Sequence, residues 1–85
     1  VWMRVLRSTM SGGFFMSQRY YALDSIENLL EEFDRLYGNK PVERQKAELN
    51  QALADIAVIR SRGTTLKGNT RSSLKKQIEE KLRYL

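Results

Sequence analysis

The sequence predicts an all-α protein, an antiparallel helical hairpin with a third, C-terminal helix completing a small helical bundle. Apolar residues recur at three- and four-residue spacing in three separate stretches. The single proline and several glycines punctuate those stretches, and little strand-like alternation lies between them. A chain of 85 residues has material for one core, and at this size about 60–65% of the unfolded chain's surface is buried on folding, so additional apolar contact is valuable.

The first helix is expected over residues 20–37. In LDSIENLLEEFDRLYG, Ile26, Leu29, Leu30, Phe33, Leu36 and Tyr37 share one helical face. Asp24 suits the N-cap with Glu27 three positions on as in a capping box, and Gly38 suits a left-handed stop. Tyr20, Tyr21 and Leu23 extend the stretch backward by a turn, with Ser17 as an alternative cap. The second helix is expected over 41–62, opened by Pro41 at the first helical position and closed at Gly63. Its seam is Val42, Leu49, Leu53, Ile56 and Ile59, and between residues 52 and 59 only Asp55 interrupts an apolar surface, which predicts nearly all-round burial. The connection GNKP is short and makes the first two helices antiparallel neighbours. The third helix is expected over 71–84, with Leu74, Ile78, Leu82 and Leu85 as its stripe and Thr70 or Ser72 as its cap. It is expected to close the side that Ala54, Ala57 and Val58 leave open.

The helical domain is thus placed at 20–85, preceded by a flexible or leader segment at 1–19. That segment has three arginines, no acid and a Gly12–Gly13 pair. It reads as a flexible leader, with Met10 or Met16 as alternative starts behind it. The competing readings are a targeting segment of the mitochondrial kind and a weak amphipathic membrane or partner contact. A cytoplasmic location follows from the first, the mitochondrial matrix from the second. No apolar run is long enough for a transmembrane span.

Charge is divided unevenly. Residues 1–41 carry equal numbers of acidic and basic side chains, so the net +5 belongs to residues 42–85. Between residues 56 and 78 no acid occurs, while Arg60, Arg62, Lys67, Arg71, Lys75 and Lys76 do. Antiparallel packing predicts that Arg60 and Arg62 meet Asp24, Glu27 and Glu31.

Chemistry is constrained by what is missing. Without cysteine there is no disulfide, thiolate metal site or thiol nucleophile, and without histidine the usual neutral-pH base and commonest metal ligand are gone. GTTLKGNT, residues 63–70, approaches a phosphate-loop pattern, but Asn69 stands where the lysine belongs and no strand precedes it. Asp24, Glu27, Glu31 and Asp34 share one side of the first helix without the histidines of a di-metal bundle or the spacing of a calcium loop, so solvated charge is expected. Tyr20, Tyr21, Phe33 and Tyr37 are expected at the core or its edge. No catalytic, cofactor or metal residue is assigned, and no cofactor is expected.

Two functions follow. The first is a non-enzymatic interaction or assembly module that binds a protein partner or a second copy through Ala54, Ala57, Val58, Leu74, Ile78 and Leu82. The second is a nucleic-acid-binding accessory protein contacting backbone through Arg60, Arg62, Lys67, Arg71, Lys75 and Lys76. No aromatic residue interleaves those cations, which disfavours stacking on single strands.

Overall fold

The computed structural model describes residues 18–85, and three helices account for its regular structure: α1, Leu23–Tyr37; α2, Val42–Ile56; and α3, Arg71–Arg83. Among the described residues there is no strand, and the all-α bundle expected from periodicity is what forms. The readings of residues 1–17, including Ser17 as a cap, lie outside the described residues. Gln18 and Arg19, placed in the leader on sequence grounds, belong to the folded unit. The Arg19 backbone N–H donates to the Asp55 carboxylate at 2.9 Å.

In α1, Ile26, Leu29, Leu30 and Phe33 are buried as their spacing requires, while Leu36 is exposed and Tyr37 half-buried. Its ends differ from expectation. Ala22, in an extended conformation, occupies the N-cap and has no side-chain acceptor to offer, while Asp24 and Glu27 bond to the loop before α3. Gly38 keeps right-handed torsions (φ −59°) rather than a left-handed stop. Glycine is needed there for space: a Cβ would stand 2.3 Å from the Asp34 carbonyl oxygen.

Pro41 stands one position earlier than expected, at the N-cap of α2, where its carbonyl accepts from the N–H groups of Arg44 and Gln45, both at 3.0 Å. The helix ends at Ile56, six residues short of the expected 62. The Asp55 carbonyl accepts from both Val58 (3.0 Å) and Ile59 (3.1 Å), which tightens the last turn and turns the chain away. Residues 57–70 then cross to α3 without regular structure. α3 opens on a reciprocal cap, Thr70 Oγ1 accepting from Ser73 N–H and Ser73 Oγ from Thr70 N–H.

Arg19 and Tyr20 before α1 meet Asp55 near the end of α2, so these two helices are antiparallel. α3 runs alongside α1 in the same sense, since Asn69 at its entry reaches Glu27 and Lys81 near its end sits 5.5 Å from the Phe33 ring centre. Ile26, Leu49, Ile56, Leu74 and Ile78 are fully buried where the three helices meet, each contributing about 1.5–3 kcal/mol of hydrophobic stabilisation. The predicted all-round burial of the end of α2 is corrected by this arrangement. Ala52, Ile56 and Ile59 are buried, but Ala54, Ala57 and Val58 remain exposed. α3 covers the opposite side, the one bearing Ile56 and Ile59, and does not close over the alanines.

Candidate functional site

The 57–70 connection is built around side chains that reach it from α1 and α3. From α1, Asp24 accepts the Leu66 backbone N–H at 3.0 Å. Glu27, with 3% of its surface exposed, accepts from the Thr65 hydroxyl and from Asn69 Nδ2, the latter at 2.6 Å. One turn on, Glu31 pairs with the Lys67 ammonium at 2.6 Å. The stretch that resembles a phosphate loop therefore encloses the protein's own carboxylate, with backbone and side-chain donors converging on it as they would on a bound anion. Burial alone would push Glu27 upward. The bonds from Thr65, Asn69 and the Lys67 backbone outweigh burial and hold it below the ordinary glutamate value. Lys67 is raised by its bond to Glu31 and by that group's charge.

These contacts correct two sequence expectations. The acids of α1 are not simply solvated, since Glu27 is interior. They also do not meet Arg60 and Arg62, because the loop places Thr65, Leu66, Lys67 and Asn69 against them first. Both arginines are exposed, and neither forms an ion pair among the described residues.

From the other side, Arg71 on the first turn of α3 turns back over the end of α2. Its guanidinium donates to the carbonyls of Ile56, Ile59 (2.6 Å) and Ser61 (3.0 Å). The end of α2 and the irregular chain beyond it leave such carbonyls without helical partners, and a planar fork with several N–H donors satisfies three of them together. The bonds bracket Arg60 and stop just before Arg62, and the four residues Arg60, Ser61, Arg62 and Arg71 line an open hollow of about 410 Å³. No carboxylate lines it. Lys75 stands one turn beyond Arg71 on the same side of α3, and Lys76 beside it; both are exposed.

The six cations singled out on sequence thus separate into three kinds. Lys67 is ion-paired, Arg71 is half-buried and holds carbonyls, and Arg60, Arg62, Lys75 and Lys76 face solvent. The proposed partner-binding residues separate as well. Leu74 and Ile78 are wholly inside the chain's own core and offer no docking surface without unfolding; Leu82 is partly buried at the core's edge, and Ala54, Ala57 and Val58 are open.

Sequence reasoning missed an interior acidic pair on α2. Glu48 and Asp55 are 3% and 4% exposed. Glu48 takes Arg19 and the Tyr20 hydroxyl. Asp55 takes the backbone N–H groups of Arg19 and Tyr20, at 2.9 and 3.1 Å, and Gln51 Nε2. Burial, followed by the bond to Glu48 and its charge, raises Tyr20; burial and the Glu48 charge raise Tyr37. The available signal was their seven-residue separation, two turns on one side of the predicted seam. Tyr21, expected at the core edge, is exposed and donates its hydroxyl to the Gln18 carbonyl at 2.8 Å.

At the far end of the bundle, Phe33, Tyr84 and Leu85 with Asp34, Glu80 and Lys81 help to line an open cavity of about 500 Å³. Among the described residues no group of three or more acids could hold a metal ion, and no helix is long and apolar enough to cross a membrane. Comparison with protein-family models, curated proteins and solved structures finds no match to this chain.

Proposed function

We propose that the protein is a non-enzymatic accessory protein that binds nucleic-acid backbone, with Arg60, Arg62, Lys75 and Lys76 as the contacting cations and Arg71 as the residue that holds the first two in place. The observation that carries this reading is the hollow at Arg60, Ser61, Arg62 and Arg71, whose lining holds three arginines and no acid, with Arg60 and Arg62 exposed and outside any ion pair among the described residues. Solvated arginines that neutralise a neighbouring helix need no ligand, but here the neighbouring acids are already occupied by Thr65, Leu66, Lys67 and Asn69. With no aromatic residue among the cations, the chemistry suits phosphate contacts on a duplex better than stacking on exposed bases.

The self-associating module suggested by the sequence has less support. Its motive was apolar surface beyond what a hairpin could hide, and Leu74 and Ile78 of α3 lie in one buried core with Ala52, Ile56 and Ile59.

The test is a binding titration of mixed-sequence duplex RNA and DNA across a range of salt concentrations. Affinity should fall steeply with salt, and Arg60→Ala with Arg62→Ala should lower the magnitude of the logarithmic slope by roughly 1 to 2, close to one unit for each phosphate no longer neutralised. Salt-independent binding, or none at low salt, rejects the reading. A pull-down run with and without nuclease separates nucleic acid from a protein partner.

A further inference from the structure

Glu27 lies on α1, apart from the cationic face, yet the loop leading into α3 is assembled on it. One carboxylate oxygen accepts from both Thr65 Oγ1 and Asn69 Nδ2. The same two residues close the loop: Thr65 N–H donates to the Asn69 carbonyl at 2.8 Å, and Asn69 N–H to Thr65 Oγ1 at 2.9 Å. Asn69 Oδ1 then accepts from Ser73 Oγ at 3.2 Å and Gln77 Nε2 at 3.0 Å, both on α3. A single buried carboxylate therefore fixes the entry of the helix that carries Arg71, whose bonds to the Ile59 and Ser61 carbonyls set the backbone on which Arg60 and Arg62 stand.

We propose that Glu27 is a positioning residue for the cationic face, an interior anion that strengthens binding of a polyanion by ordering the loop even though its own charge opposes that binding. The inference rests on the nucleic-acid reading above. It is separable from a charge effect because the two have opposite signs. By Coulomb's law alone, neutralising an acid near a phosphate-binding surface tightens binding. If the carboxylate orders the surface, neutralising it removes the strongest acceptor for Thr65 and Asn69 and loosens binding.

The experiment compares the full chain with Glu27→Gln and Thr65→Val, the second of which removes the hydroxyl without changing charge. Circular dichroism first establishes that the helices are intact, and hydrogen exchange of the 65–69 amides reports loop order. Both variants are expected to exchange faster there and to bind duplex RNA about tenfold more weakly at fixed low salt, with the salt slope retained because the phosphate-binding cations are all still present. Should Glu27→Gln fail to fold, Thr65→Val decides. Unchanged or tighter binding by the folded variants, or undiminished protection of the 65–69 amides, overturns the inference alone. Absence of binding by the native chain overturns the nucleic-acid reading and this inference with it.

Discussion

Buried carboxylates show at the level of single residues why this small chain is ordered well beyond its helices. Glu27, Glu48 and Asp55 are each nearly inaccessible, and each is bonded by donors outside the helix that carries it. A buried charge without partners is costly, so these acids require the loop and the 18–21 segment to stay docked. Arg19 is half exposed, and solvent screens part of its attraction to Glu48, so Arg19→Ala is expected to lower stability by only about 1–2 kcal/mol in urea unfolding. Arg71→Lys keeps the charge but replaces a fork by a point donor that cannot hold three carbonyls, and should cost about 1–3 kcal/mol by the same measurement. Glu27 adds a pH dependence. Its folded value lies below the ordinary 4.5, so its ionised form favours folding. That contribution is complete above the unfolded value and is lost as pH falls through the folded one. Urea midpoints followed from neutral pH into the acid range should therefore fall less in Thr65→Val than in the native chain.

Among the elements, the existence of the helices was legible in the sequence and their limits were not, for a physical reason visible at α2. Periodicity at Ile26, Leu29, Leu30 and Phe33, and at Leu74 and Ile78, encodes burial directly, and those residues are buried. Residues 57–62, however, carry no local signal against helix. What accompanies the turn there is Arg71, fifteen residues beyond Ile56, whose guanidinium satisfies the carbonyls a longer helix would have used internally. A contact across that distance leaves no local pattern. Capping at Asp24 departs from expectation for a related reason, since a residue suited to cap its own helix instead accepts from Leu66. Glycines in these connections differ in what they do. Gly63 and Gly68 both have φ of +84° with open space around the missing Cβ, so Gly→Ala at either should cost about 1 kcal/mol through backbone strain. Gly38 has ordinary torsions but no room, and Gly38→Ala should be the most destabilising of the three when their unfolding midpoints are compared.

For the molecule as a whole, the location of the excess charge was readable from composition, but the fate of each charge depended on which loop atoms reached the acids first. A second helix running to residue 62 would bring Arg60 and Arg62 toward Asp24 and Glu27, which is why the sequence pairs them; because α2 ends at Ile56, both arginines lie in the 57–70 connection, where Thr65, Leu66 and Asn69 take the acids and leave the arginines exposed. The same arrangement bears on association. Among the described residues eleven hydrophobic side chains close a core, and α3 supplies Leu74 and Ile78 to the side that a hairpin alone would leave bare. Tyr21, Leu36, Val42, Leu66, Tyr84 and Leu85, the other large apolar side chains exposed among the described residues, come from separate segments of the chain; at and just past the end of α2 the open residues are Ala54, Ala57 and Val58, of which the two alanines offer little area and Val58 is 58% exposed. So small a patch falls short of the contiguous surface that a stable dimer buries, about 800 Å² per partner. The folded chain is accordingly expected to sediment as a monomer at micromolar concentration, with a thermal midpoint independent of protein concentration. Ala54→Glu with Ala57→Glu should change neither observation, since both positions face solvent and neither side chain belongs to the core. A midpoint that rises with concentration in the native chain and stops doing so in that variant would make the alanine face an interface between copies, and the cationic hollow beside it would then have to be understood within a dimer.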